Sequence, residues 1–113
     1  MHGIGIDLIS IKRFGRVESA DYSKWRHVFS RAEWQYAFRA AVPKERLAAL
    51  FAVKEAAMKA VGKAGTGEFL KWEIAHHEGG APFFAAHPLP KRRRILASVS
   101  HEGNLAIAIV GII

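Results

Sequence analysis

Between Leu47 and Ala60 the chain reads LAALFAVKEAAMKA, a run that is apolar on every side of a helix except where Lys54, Glu55 and Lys59 interrupt it. A helix without a broad polar face has to be covered by the rest of the fold, so this segment predicts a central helix with other elements packed around it. Pro43 fits its first turn, where the missing N–H costs nothing, and Gly62 supplies the stop. A charge carried into such surroundings needs a partner ion, a metal or a charged ligand. Glu55 and Lys59 are four residues apart and project from one face, about a turn from each other. One is an anion suited to a metal and the other a cation suited to phosphate, so the chemistry is expected here.

The flanking segments give an α+β order without internal repeats. Ile4, Ile6 and Leu8 alternate with Gly5 and Asp7, the period of a strand in which Gly3, Gly5 and Asp7 share one face. Glycine is tolerated in a strand where a ligand or another backbone comes close, so that face is cleared for an object beside the Asp7 carboxylate. The plainer alternative is that Asp7 ends the strand and caps the next helix. From Ile11 to Phe38 run short helical patterns rich in Arg, Lys and aromatics, with Ser30 as an N-cap and Glu33 as its capping-box partner. KAGTGE (63–68) reads as a loop, 70–76 as a strand, Gly79 and Gly80 as a turn, and 82–85 as a short edge strand. The runs 95–100 and 105–112 form a hairpin through HEGN, with Gly103 free to take positive φ. The second run is apolar on both faces and is expected to be an interior strand. His76 and His77 point to opposite faces of a strand as ordinary surface or packing residues, and the histidines make no metal-ligand repeat.

The length of 113 residues matches a single domain, 1–113. No apolar run approaches the roughly 20 residues that span a bilayer, and MHGIGIDLIS has neither a basic nor a long apolar leader region. The expectation is a cytoplasmic protein with no membrane partner. With no cysteine there is neither a disulfide nor a thiolate zinc site. The net charge of +7 favours an acidic partner, whether nucleic acid, acidic protein or a phosphate-rich small molecule, although excess Lys and Arg also serve solubility. Basic residues gather between Lys12 and Arg31, at Lys44 and Arg46, at Lys59 and Lys63, and from Lys91 to Arg94. The last run follows Pro88 and Pro90 and reads as a solvated turn. The segment SVSH (98–101) carries a serine and a histidine, but no acid is placed to complete a nucleophilic triad.

Three blocks, GIGIDLISIKRF at 3–14, RLAALFAVKEAAMKAVGK at 46–63 and ASVSHEGNLAIAIV at 97–110, together resemble the holo-acyl-carrier-protein synthase group of 4′-phosphopantetheinyl transferases. VFSRAEW and KWEIAHHEGGAP also look like segments of that family, so the resemblance spans almost the whole chain. It implies the phosphopantetheinyl transferase-like α+β fold, an antiparallel sheet packed on a long central helix. It also implies transfer of the 4′-phosphopantetheine arm of coenzyme A to a serine of an acyl carrier protein, with magnesium required and adenosine 3′,5′-bisphosphate released. Asp7 and Glu55 match the family's metal ligands, and Lys59 matches the lysine one turn after that glutamate. His101 matches a histidine near the coenzyme A phosphates. Arg46, with Lys44, matches the basic element before LAA that holds the 3′-phosphate, and Lys63 is counted with the coenzyme A contacts. The family forms homotrimers with sites between subunits. Two departures, Ser10 in place of an acidic residue and Gly80-Ala81-Pro82 in place of GKP, touch neither metal position.

The chemistry of the residues agrees with the resemblance. Magnesium takes oxygen ligands and commonly only one or two carboxylates, leaving positions for water and phosphate. Asp7 and Glu55 suffice, Lys59 offsets negative charge, and Glu55 is the candidate acceptor of the serine proton. Carrier proteins of this kind are acidic, as the resemblance implies, so Arg13, Arg16, Lys24 and Arg26 are docking candidates; Phe14 would add an apolar anchor, although an aromatic at helical spacing is more often core. A nucleic-acid-binding module would account for the charge and the KRRR run but not for a buried Glu55 beside Lys54 and Lys59. An idle adaptor for acidic carriers would keep the basic surface and lose metal dependence. No nucleic-acid partner is expected.

Overall fold

The computed structural model describes residues 2–113. In chain order the elements are β1 (Gly3–Ser10), α1 (Tyr22–Trp25), α2 (Arg31–Phe38), α3 (Pro43–Ala60), β2 (Glu73–His76), β3 (Pro82–Ala86), β4 (Ile95–Glu102) and β5 (Leu105–Ile112). Short 3-10 turns lie at Ile11–Phe14, Ser19–Asp21 and Phe69–Lys71.

The all-round apolar run is the centre of the fold. Helix α3 begins with Pro43 in its first turn and ends before Gly62, whose φ of 73° lies in the region glycine occupies without strain. Leu47, Ala48, Ala52, Ala56, Ala57 and Met58 are completely buried along it. An antiparallel sheet in the order β1-β5-β4 lies against this helix, which is the α+β arrangement expected from the sequence. As its two apolar faces implied, β5 is the middle strand.

The glycines of β1 explain how closely sheet and helix approach. A Cβ at Gly3 would collide with the carbonyl oxygen of Ala60, and one at Gly5 with that of Ala56. The object for which this face is cleared is therefore the α3 backbone, with Asp7 next along the same face. Asp7 is a mid-strand residue opposite Ala108, so the alternative in which it caps a helix does not hold. The hairpin turns at Gly103, φ 57°, and the neighbouring Asn104 ties the turn to the end of β1. Its carbonyl accepts from Ile11 N–H at 2.7 Å, and its side-chain oxygen from Lys12 N–H at 2.8 Å.

One expected strand is shorter than its sequence suggests. Residues 70–76 read as extended, yet β2 starts only at Glu73, because the amides of Lys71 and Trp72 turn back to the carbonyls of Glu68 and Phe69. The carbonyls of Phe69 and Trp72 are meanwhile taken by the Lys54 ammonium, which removes them from any ladder. β2 pairs only with β3, making a separate two-stranded sheet, so the second of these is an edge strand as expected.

Candidate active site

The backbone contact between β1 and α3 brings three charged side chains together. Lys59 Nζ donates to Asp7 Oδ1 at 3.1 Å and to the Ile6 carbonyl at 2.9 Å. Glu55 lies one turn earlier on the same face of α3. Partial burial, followed by the negative charge of Asp7, pushes its carboxyl above the ordinary range, against the opposing pull of Lys59 and Arg13. A carboxyl whose ionisation is opposed by a neighbouring carboxylate marks a place where a hard cation is stabilised, and few protein ligands match what magnesium requires. Asp7 and Glu55 therefore fit such an ion. Among the described residues there is no group of three or more His, Cys, Asp or Glu that would form a denser metal cage.

Burial separates the three charges that interrupt the apolar run of α3 more sharply than the sequence does. Only Lys54 is sealed in the interior, at 0% exposure, whereas Glu55 is half-buried and Lys59 exposed. The apolar run correctly demands a partner for a buried charge, but the demand falls on Lys54. Its ammonium meets Glu33 Oε1 at 2.9 Å and donates to the carbonyls of Phe69 at 3.0 Å and Trp72 at 2.7 Å. Loss of hydration lowers its pKa, and the Glu33 carboxylate pulls the other way. Glu33 is indeed the capping-box partner of Ser30, accepting from Ser30 N–H at 2.8 Å. It also accepts from Ile74 N–H at 2.9 Å. This second duty is absent from the sequence reading; the signal for it was a fully apolar helix face with one lysine in it.

The other basic candidates divide along α3. Arg46 is held near its N-terminal end, its Nη1 donating to the Tyr36 carbonyl at 2.7 Å and its guanidinium lying 4.1 Å from the Tyr36 ring. His76 is stacked on the same ring, 4.0 Å between centroids. Burial, and then the Arg46 charge, lower the pKa of His76. Tyr36, Arg46, His76 and His101 line a cavity of about 380 Å³, in which His101 Nδ1 is 3.9 Å from Glu45 Oε2. Tyr36 and Glu45 were not singled out from sequence, since a lone tyrosine or first-turn glutamate carries no distinguishing pattern. Lys44 is exposed in the first turn of α3, and Lys63 is exposed on the loop beyond its other end. Arg46 and Lys59 are thirteen positions apart on the helix, about 20 Å at the α-helical rise. Within one chain, the Arg46–His101 cluster and the Asp7–Glu55–Lys59 cluster are thus distinct, with β5 between the strands that carry His101 and Asp7.

Arg13, Arg16, Lys24 and Arg26 are exposed, and Arg13 lies 4.8 Å over the Phe51 ring. Phe14 is not a surface anchor. It is 1% exposed and packs against Trp25, Phe29 and Phe51, because the 3-10 turn after β1 directs it toward α3. On the outer face of the main sheet, Ile4, Ile6, Leu8, Leu96, Leu105, Ile107 and Ile109 are exposed together.

The profile of the family described as the 4′-phosphopantetheinyl transferase superfamily matches residues 3–110. The holo-[acyl-carrier-protein] synthase of Thermodesulfovibrio yellowstonii is 34% identical over 111 residues, covering 97% of this chain and 96% of the relative. The Helicobacter pylori holo-[acyl-carrier-protein] synthase in complex with coenzyme A aligns with a TM-score of 0.79 at 28% identity, over 96% of this chain and 98% of that one. The corresponding synthase of Bacillus anthracis, in complex with CoA (3′,5′-ADP), gives a TM-score of 0.79 and 28% identity, covering 98% of this chain and 94% of that one.

Proposed function

This chain belongs to the 4′-phosphopantetheinyl transferase superfamily, and on that premise we propose that it moves the 4′-phosphopantetheine arm of coenzyme A onto a serine of an apo acyl carrier protein. The serine oxygen forms a bond to the phosphorus that bears the pantetheine. The bond from that phosphorus to the bridging diphosphate oxygen breaks, and adenosine 3′,5′-bisphosphate leaves. The observation that carries the reading is the meeting of Asp7, Glu55 and Lys59 where β1 touches α3.

Glu55 accepts the serine proton, a role for which a carboxyl pushed upward in pKa is a stronger base than an ordinary one. Lys59, anchored on Asp7 and the Ile6 carbonyl, presents positive charge to the phosphate oxygens. Asp7 and Glu55 would hold magnesium, which when bound supplies Lewis-acid stabilisation of the diphosphate charge. Arg46 and His101, with Lys44, bind the nucleotide phosphates, and Lys63 adds to the local positive field. Arg13, Arg16, Lys24 and Arg26 attract the acidic carrier, an attraction that salt screens over about 8 to 10 Å.

A homotrimer reconciles the separation of the two clusters. The nucleotide-binding side chains of one subunit would complete the Asp7–Glu55–Lys59 corner of its neighbour. The open apolar face of β1, β5 and β4 supports burial against further copies, since contiguous exposed apolar surface marks an association site. Sedimentation equilibrium is expected to return three times the chain mass, and a monomer at micromolar concentration would remove this element. The activity itself is tested by mass spectrometry after incubation with an apo carrier protein, coenzyme A and magnesium. The expected result is the phosphopantetheine increment on the carrier serine. No increment on any of a panel of acidic carriers would reject the reading.

A further inference from the structure

Lys54 and Glu33 lie outside the proposed chemistry, yet their bonding is unusually complete for groups sealed from water. All three ammonium hydrogens of Lys54 have acceptors, namely Glu33 and the carbonyls of Phe69 and Trp72. Both carboxylate oxygens of Glu33 are used as well, by Lys54 and Ser30 N–H on one and Ile74 N–H on the other. One side chain of α3 is thereby bonded to α2, to the 3-10 turn at Phe69–Lys71 and to Trp72 just before β2, and Glu33 extends the link to Ile74 of β2.

The opposite side of α3 is fixed by a different device. Successive residues of an α-helix are about 100° apart, so Ala56 is about 200° from Lys54, almost across the axis, with Ala60 on the same side as Ala56. Ala56 and Ala60 are the residues whose carbonyls touch Gly5 and Gly3 of β1. The helix is clamped between a strand that meets its backbone and an ion pair that holds its far face. Glu55 at about 100° and Lys59 at about 140° from Lys54 occupy the sector between the two clamps. A helix rotation of about 20° would displace a side chain 5 to 6 Å from the axis by about 2 Å, and displacements of about 1 Å can cost two orders of magnitude in rate.

We infer that Lys54 and Glu33 are positioning residues for the transfer reaction, acting through Glu55 by setting the rotation of α3 relative to β1. The inference rests on the transferase reading above, and the experiment separates the two. Replacing both members, Glu33→Gln with Lys54→Met, removes the pair without leaving a lone buried ion and keeps a residue that serves the capping box. Wild type and variant are compared for circular dichroism, melting temperature, kcat, and KM for coenzyme A at a temperature well below either melting point. The folded double variant is expected to lose at least tenfold in kcat, with KM for coenzyme A within about twofold of wild type. The same pair of changes introduced into Glu55→Gln is expected to cost severalfold less than in wild type, since residues that act through a common group are non-additive, with the remainder falling on Lys59.

A lowered melting temperature with unchanged kcat would reduce the pair to a purely structural role and overturn the inference. An undiminished further loss in the Glu55→Gln background would do the same. Should the double variant fail to fold, Glu33→Asp decides: it keeps the charge but shortens the link by one methylene, and the inference requires a severalfold lower kcat at unchanged KM. A wild-type protein without transfer activity would instead remove the underlying reading.

Discussion

Helix α3 carries two lysine–carboxylate pairs five residues apart, and they are built in opposite ways. Lys54–Glu33 is wholly buried, and every hydrogen of the ammonium is spent on protein acceptors. Lys59–Asp7 sits at the surface, the side chains 43% and 15% exposed, and its ammonium hydrogen-bonds, among the described residues, to Asp7 and one carbonyl. The first pair has no capacity left for a ligand; the second has. Similar residue types on one helix therefore serve architecture in one place and chemistry in the other, and solvent access combined with hydrogen-bond saturation distinguishes them.

The contrast breaks most visibly on the buried side. Lys54→Met alone leaves the Glu33 carboxylate uncompensated in the interior, a situation that typically costs about 3 to 5 kcal/mol. That is a large part of the stability of a small domain. Urea denaturation is expected to report a loss in this range, and a midpoint near that of wild type would show that Glu33 finds other compensation. Lys59→Ala is the matched test on the surface, where an exposed pair is worth about 0 to 1 kcal/mol.

On the chemical side the order reverses. Asp7→Asn and Glu55→Gln remove a charge with little change of shape, and each is expected to lower kcat about a hundredfold or more while melting near the wild-type temperature. Lys59→Ala is expected to reduce kcat more than carrier binding. Single-turnover transfer measured across a magnesium titration checks all three. Near-normal turnover in both carboxylate variants would mean that the exposed cluster is not the reaction centre.

This division also marks what the sequence made legible. The unbroken apolarity of 47–60 demanded a central helix, and the glycine alternation of β1 demanded a close neighbour, both local patterns with one physical solution. The capping box at Ser30 and Glu33 was equally local. The partner of Lys54 was not, because Glu33 lies in another helix and nothing in a one-dimensional pattern tells a capping glutamate from one that also neutralises a buried lysine. Phe14 was ambiguous for the same reason: an aromatic after a strand becomes core or surface only once the 3-10 turn fixes its direction. The separation of Arg46 from Lys59 was implicit in the helical rise, yet a one-dimensional pattern does not tell whether two clusters that far apart serve one site.

The smallest expected effect concerns a group between these extremes. His76 is stacked on Tyr36 and half-buried, and desolvation followed by the Arg46 charge holds its pKa below the ordinary histidine value of about 6.5. A depressed folded-state pKa means that the unfolded chain binds the proton more tightly. The stabilisation is therefore complete above about pH 6.5 and is lost as pH falls from there through the lower folded value. Melting temperature measured between pH 7.5 and 5 is expected to fall less steeply in His76→Phe, which keeps a ring against Tyr36 and removes the titrating group. The difference is modest because solvent still reaches the imidazole. Parallel curves for the two proteins would place the acid sensitivity elsewhere, while a convergence toward low pH would identify the Arg46–Tyr36–His76 stack as a partly hydrated intermediate between the saturated pair of the interior and the open pair of the site.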